Sequence, residues 1–241
     1  MSDVPGPIGG VDAPAHVVVL DIDDTLYLER DYVRSGFRAV GTWARRSLGV
    51  PDLGERAWAA FESGARGTIF DDALGGAGIE ATPEVIGQMV ACYRDHTPDI
   101  TLLADARACL DALAEAGGRT AVAVVTDGPL ASQSAKAASL GLATWSQHVI
   151  FTEALGAGMG KPHPRAFELV QQRLGVGGDR CVYAADNPAK DFVAPHGLGW
   201  RTIRVRRRGG LHCEVPGGDD IDHEVSDMTD LMALIERRVL R

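Results

Sequence analysis

The 241-residue chain has only four cysteines, Cys92, Cys109, Cys181 and Cys213, with no CxxC pair and no histidine at zinc-finger spacing. That pattern argues against a disulfide scaffold or a structural zinc site and suits a reducing compartment. No stretch approaches the ~18 apolar residues of a membrane span, and the start of the chain lacks a basic segment followed by a long apolar core. These absences predict a cytoplasmic protein with no membrane partner. Positive charge is scarce too: 24 Lys and Arg stand against 33 Asp and Glu, a net charge of -9. Nucleic acid is repelled at long range by such a chain, so no nucleic-acid partner is expected and a small ligand fits better. There is no internal repeat.

At 45% hydrophobic, the chain is long enough for a core domain plus a small inserted one. The Pro/Gly-rich opening, residues 1–15, reads as a disordered leader. Short β-branched runs at Val17–Leu20, Thr120–Val125, Val149–Phe151, Cys181–Ala185 and Thr202–Val205 predict strands. Segments with helical spacing lie between most of them, at Ala104–Ala116, Leu130–Leu140 and Pro164–Leu174. A further helix is predicted in the tail from Asp227 to Arg241, with Leu231, Leu234, Ile235 and Val239 on one face. Strand alternating with helix predicts an α/β fold with a doubly wound, Rossmann-like parallel sheet.

One interval breaks the alternation. Between the first two strands lie roughly a hundred residues that read as helices, Glu29–Ser47, Leu53–Ser63, Phe70–Ala77 and Pro83–Asp95, the last with Thr82 as N-cap. A crossover needs only a dozen or so residues, so the excess predicts an inserted all-helical cap domain. The division is then 28–99 for the cap, and 16–27 with 100–241 for the core.

Ligands of an open parallel sheet bind beyond the carboxyl ends of its strands. There the chain offers Asp21, Asp23 and Thr25 in "DIDDT", Thr126, Asp127 and Gly128 in "VVTDG", Lys161 in "GKPHP", and Asp186 and Asp191 in "DNPAKD". Asp21 and Asp186 form a hard oxygen pair suited to Mg²⁺. A lysine and a hydroxyl at the same edge suit a phosphoryl group.

These four motifs, in this order and each at a predicted strand end, resemble the signatures of the haloacid dehalogenase (HAD) superfamily, and the helical insertion is similar to the cap of its phosphatase-like branch. The resemblance implies an Mg²⁺-dependent hydrolase that removes phosphate from a small phosphorylated substrate, a sugar phosphate or nucleotide-type monoester, through an aspartyl phosphate. It implies Asp21 as nucleophile, Asp23 as acid and base, and Thr126 with the following N–H as phosphoryl ligands. Lys161 is implied as the charge-neutralising group, and Asp186 as metal ligand with Asp21 and the Asp23 carbonyl. Asp191 is implied either as a ligand through water or as the group that orients the lysine. Asp24 stands where relatives carry Gly, so its side chain is expected to turn away.

Each signal has a plainer reading. Asp21 to Asp24 could be an acidic helix cap, Thr126-Asp127-Gly128 an ordinary strand-to-helix turn, and Lys161 a solvated loop lysine. "RVRRRGG", Arg204 to Gly210, reads as a solvated strand end, and Trp43, Trp58 and Phe61 as cap core. In the cap, Arg66, Arg34 and Arg38 are candidates for a second anionic group on the substrate. A phosphomutase and a silent binding or scaffolding member are the rival functions. The absence of lysine between residues 27 and 135 disfavours phosphonate cleavage through a cap lysine. A monomer or homodimer is expected.

Overall fold

The computed structural model describes residues 13–116 and 119–238. The expected leader falls largely outside these residues, as does Val239. Alternation along β1 (His16–Leu20) sends Val17 and Val19 to one face of the sheet and Val18 and Leu20 to the other, and all four are fully buried. A strand buried on both faces needs helices on both sides. Five strands join β1: β2 (Thr120–Thr126), β3 (His148–Phe151), β4 (Cys181–Ala185), β5 (Arg201–Val205) and β6 (His223–Val225). Their order is β3-β2-β1-β4-β5-β6 and every pairing is parallel, with Val18 set between Val122 and Val182. This is the doubly wound α/β class expected.

Before β2 lie five helices: α1 (Glu29–Ser47), α2 (Leu53–Glu62), α3 (Ile69–Gly76), α4 (Pro83–Asp95) and α5 (Ala104–Glu115). After it come α6 (Leu130–Ser139), α7 (Arg165–Leu174), α8 (Val193–Gly197) and α9 (Met228–Arg238). Leu110 and Leu113 of α5 and Leu231 and Ile235 of α9 close the sheet face that carries Val18 and Leu20. Phe167 and Val170 of α7, with Phe192 and Trp200, close the face of Val17 and Val19. Each large side chain so buried contributes roughly 1.5–3 kcal/mol.

Helices α1 to α4 have a core of their own, built from Phe37, Val40, Leu53, Phe61, Leu74 and Met89, with Trp43 and Trp58 packed against it. Pro83 opens α4 and the Thr82 hydroxyl accepts from Val85 N, as the sequence predicts. Helix α1 has no local side-chain cap. The Asp24 carboxylate supplies one from five residues back, accepting from Glu29 N at 2.8 Å and also from Leu211 N at 2.7 Å. Asp24 has φ +49°, a left-handed conformation that glycine adopts at less cost. On α1, a Cβ at Gly36 would lie 2.5 Å from the Tyr93 ring, so only glycine lets α4 approach this closely.

Two differences from the sequence reading stand out. Strand β6 and helix α8 are too short for a periodic signal, and β6 is held by Asp222, which accepts from Thr202 N at 2.8 Å. The run from Arg204 is also not a solvated strand end. Arg206 and Arg208 are exposed, but Arg207 is buried, and Arg204 is fully buried, donating to the carbonyls of Asp186 and His212 and to Glu224. Its charge is tolerated because Glu224 pairs with it at 2.9 Å and two carbonyls take up its remaining donors. Arg204→Met removes all three bonds at once and is expected to cost about 3 kcal/mol of stability. Urea unfolding checks this, and a loss under about 1 kcal/mol would show that the arginine is dispensable to the fold.

Candidate active site

Strand order reverses between β1 and β4, and the crevice beyond their carboxyl ends is where such sheets bind ligands. Asp21 follows β1 directly, its N–H bonded to Ala184 O at 3.0 Å, and Asp186 follows β4. Carboxylate oxygens of Asp21, Asp186 and Asp191 all lie within 4.8 Å of one another, and all three residues are buried. Lys161 Nζ stands beside them, 3.1 Å from Asp21 Oδ2, 2.7 Å from Asp191 Oδ1 and 3.0 Å from Tyr183 Oη. Asp191 also accepts from Asn187 N at 2.9 Å, which fixes the turn after β4. It therefore lies against both the lysine and the other two acids.

Electrostatics separates the carboxylates. Burial pushes Asp21 up to about 6 against the pull of Lys161. Asp186 is driven up to about 9 by burial, then by Asp21 and Asp191. Burial alone would lower the Lys161 pKa, but Asp191 and Asp21 hold it well above the ordinary lysine value. Asp23 goes the other way: burial opposes its ionisation, yet Lys136, Tyr27 and Gln133 hold it below the usual carboxylate range. Lys136 Nζ reaches both oxygens of Asp23, at 2.7 and 2.9 Å, Gln133 Nε2 donates at 3.0 Å, and the Tyr27 hydroxyl donates as well.

Asp21 and Asp23 open into one cavity of about 310 Å³. Its walls include Asp127, Gly128, Lys136, Asp186 and Lys190 from the sheet side, and Glu29, Tyr32, Tyr93 and Arg94 from α1 and α4. Burial, then Asp23, raises the Glu29 carboxyl to about 7. Asp127 lines the cavity, but its carboxylate is engaged, accepting from Thr152 Oγ1 at 2.6 Å, Lys161 N at 3.2 Å and Lys190 Nζ at 3.0 Å.

Four candidates from the sequence sit elsewhere. The Thr126 hydroxyl is fully buried and donates to Gln133 Oε1 at 2.9 Å instead of facing the cavity. Arg66 is outside the cavity wall: its guanidinium lies over the Phe61 ring and donates to the Phe61 and Ala65 carbonyls. Arg34 and Arg38 are also absent from the wall, Arg34 lying over Trp58 and Arg38 pairing with Asp99. The cation that α4 brings to the wall is Arg94.

Lys136, Gln133 and Lys190 were not singled out from the sequence, although a signal existed. The chain has three lysines among its 24 basic residues, and each pairs with a carboxylate of this site: Lys136 with Asp23, Lys161 with Asp21 and Asp191, Lys190 with Asp127. Gln133 and Lys136 are also one turn apart on α6, so both side chains share a face. Among the described residues, no helix is long and apolar enough to cross a membrane.

The chain is 28% identical over 227 residues to a glyceraldehyde 3-phosphate phosphatase of Methanopyrus kandleri, covering 90% of this chain and 96% of the relative. It is 32% identical over 190 residues to a phosphoserine phosphatase of Thermus thermophilus, covering 78% and 71%. Its fold matches that of the magnesium-bound HAD-hydrolase YfnB of Bacillus subtilis with a TM-score of 0.66 at 17% identity, covering 92% and 99%. The family model for haloacid dehalogenase-like hydrolases matches residues 15–199, in which the first strand and all four motifs lie. With the acidic triad, the buried lysine and the doubly wound sheet in place, the chain belongs to the haloacid dehalogenase-like hydrolases.

Proposed function

We propose that this protein is an Mg²⁺-dependent phosphatase of small phosphorylated metabolites, acting through a phosphoryl group carried on Asp21. The observation that carries the reading is the pairing of two unlike aspartates on one cavity wall: Asp21 beside Lys161 and the acidic triad, Asp23 beside Lys136. A purely binding site has no use for that second aspartate. Relatives named for glyceraldehyde 3-phosphate and phosphoserine support a three-carbon monoester. The cavity, about 310 Å³, is near the lower limit of ligand sites and favours a short substrate over a nucleotide.

In the first half-reaction an Asp21 oxygen attacks phosphorus in line, the bond from phosphorus to the ester oxygen breaks, and that oxygen takes a proton from Asp23. A dianionic phosphoryl group brought against Asp23 raises its proton affinity for this step. In the second, Asp23 accepts a proton from water as the water oxygen attacks phosphorus and the bond to Asp21 breaks, releasing inorganic phosphate. Lys161 neutralises charge on Asp21 and the phosphoryl oxygens. Asp127 and Gly128, which line the cavity, would offer backbone N–H groups for the phosphoryl role expected of Thr126. Residues 28–99 act as a cap whose α1 and α4 wall excludes bulk water. Four free thiols fit a cytoplasmic setting.

The residues fit a divalent cation. Asp21 Oδ1 is buried with no hydrogen-bond partner, and three carboxylates within 4.8 Å repel one another without a counterion. Asp21, Asp186 and the Asp23 carbonyl would hold Mg²⁺, with Asp191 near by, and the ion would add charge stabilisation at the phosphoryl oxygens.

Phosphate release from glyceraldehyde 3-phosphate, phosphoserine, a hexose phosphate and a nucleoside monophosphate tests the reaction. Release is expected with Mg²⁺, highest on the three-carbon esters, absent with EDTA, and lower by on the order of 10⁴-fold in Asp21→Asn. Wild-type protein inert on every ester in Mg²⁺, or an Asp21→Asn variant as active as wild type, would sink the reading. Metal binding is tested separately by thermal unfolding. Mg²⁺ at ~100 times its Kd is expected to raise the Tm by about 5 °C, and Asp186→Asn to remove most of that shift. An unchanged shift in Asp186→Asn would move the ion away from the triad.

A further inference from the structure

We propose that Lys136 is a positioning residue for Asp23: with Gln133 it holds the Asp23 carboxylate in the one orientation from which it exchanges a proton with the leaving oxygen and then with water. The inference rests on the phosphatase reading above and assigns a role within that site to a residue outside the four motifs. Lys136 lies on α6, and its side chain is only 4% exposed although it borders a water-accessible cavity.

The geometry singles out this lysine. A carboxylate rotates about its last side-chain bond unless both oxygens are engaged. Here Lys136 Nζ engages both, at 2.7 and 2.9 Å, while Gln133 Nε2 fixes Oδ2 and the Tyr27 hydroxyl fixes Oδ1. Gln133 is itself locked by Thr126 Oγ1, so the strand end after β2 sets the angle of the whole group. From the other side Lys136 Nζ sits 4.2 Å from the centroid of the Tyr32 ring, a cation–π contact with the helical insert. With donors spent on Asp23 and an aromatic face beneath it, the ammonium is poorly placed to serve as a primary phosphoryl ligand. Lys161 already fills that role beside Asp21.

Burying an ammonium is costly, and lysine is rare here, with only three in the chain. Arginine, used throughout the rest of the protein, is a planar fork that cannot offer a compact charge to a carboxylate already bonded by Tyr27 and Gln133. The helix is fixed in turn: Leu130 N donates to Glu153, and Ser132 Oγ donates to Arg94 O of α4 at 3.3 Å. Lys136 thus joins Asp23 to Tyr32 of α1, and its helix is tied to α4 through Ser132.

The test uses leaving groups. An alkyl alkoxide must be protonated as it departs, whereas p-nitrophenolate leaves without a proton, and kcat/KM reads only the first half-reaction. Lys136→Met is expected to lower kcat/KM on glycerol phosphate by on the order of 10²-fold and on p-nitrophenyl phosphate by less than about threefold. The base step suffers for either ester, so kcat and KM on p-nitrophenyl phosphate are expected to fall together, with a burst of nitrophenolate before steady state. Equal losses on both esters, or a raised KM with kcat unchanged, would overturn the role and make Lys136 a binding residue. If Lys136→Met does not fold, Asp23→Asn/Lys136→Met, in which neither charge remains, is compared with Asp23→Asn alone. Equal kcat/KM on glycerol phosphate is then expected, because a residue acting through Asp23 has nothing left to position; a further tenfold loss would overturn the proposal. Wild-type protein that releases phosphate from neither ester overturns the phosphatase reading and the Lys136 role with it, whereas active wild type with equal losses overturns the Lys136 role alone.

Discussion

One buried ammonium, Lys161, stands among carboxylates that would otherwise drive one another apart. Its contacts with Asp21 and Asp191 tie the end of β1 to the turn after β4, across the crevice where strand order reverses. Without that cation two adjoining strands would end in unrelieved like charge within a low-dielectric region, where charge interactions are strongest. Even so the balance is incomplete, because Asp186 remains driven up to about 9. The fold holds the acids closer than they would stand alone, and that closeness leaves the three carboxylates short of positive charge.

Around this centre the two aspartates of "DIDDT" are treated differently by their neighbours. Asp21 is buried and shares its lysine with Asp191, whereas Asp23 has Lys136 to itself, with Tyr27 and Gln133. Two residues of strand-like spacing therefore face one cavity yet hold protons with unlike affinity. Environments that push paired carboxylates apart are how one site combines nucleophile and acid–base roles.

The helical insert contributes side chains to the cavity. Its own core of Phe37, Leu53, Phe61 and Met89 lets it keep its shape, and α1 and α4 then present Glu29, Tyr32, Tyr93 and Arg94 to the cavity. Gly36 allows the close approach that seats Tyr93, and Asp24 anchors the start of α1 to the strand end. Shape on the α1 and α4 side of the cavity is thus decided by helix packing, and the arginines that look available along the sequence are spent on Trp58, Asp99 and Phe61.

Local pattern was enough for much of this molecule. Five strands, the alternation with helices, the helical character of the long insertion and the carboxylates at strand ends are all legible from residue order, because strand and helix periodicity and sheet-edge rules act over a few residues. Strand β6 and helix α8 escaped because three to five residues carry no period. Arg204 was read as solvated because burial of a charge depends on acceptors from Asp186, His212 and Glu224, which no local window contains. Lys136 was overlooked for the same reason: its partner Asp23 is 113 residues away, and only the meeting of α6 with the end of β1 brings them together. The sequence by itself determined which chemistry the strand ends can carry, since the residue types and their order are local facts. Tertiary structure alone decided which charges meet, because pairing energy depends on distance and burial, and both are set by the folded chain.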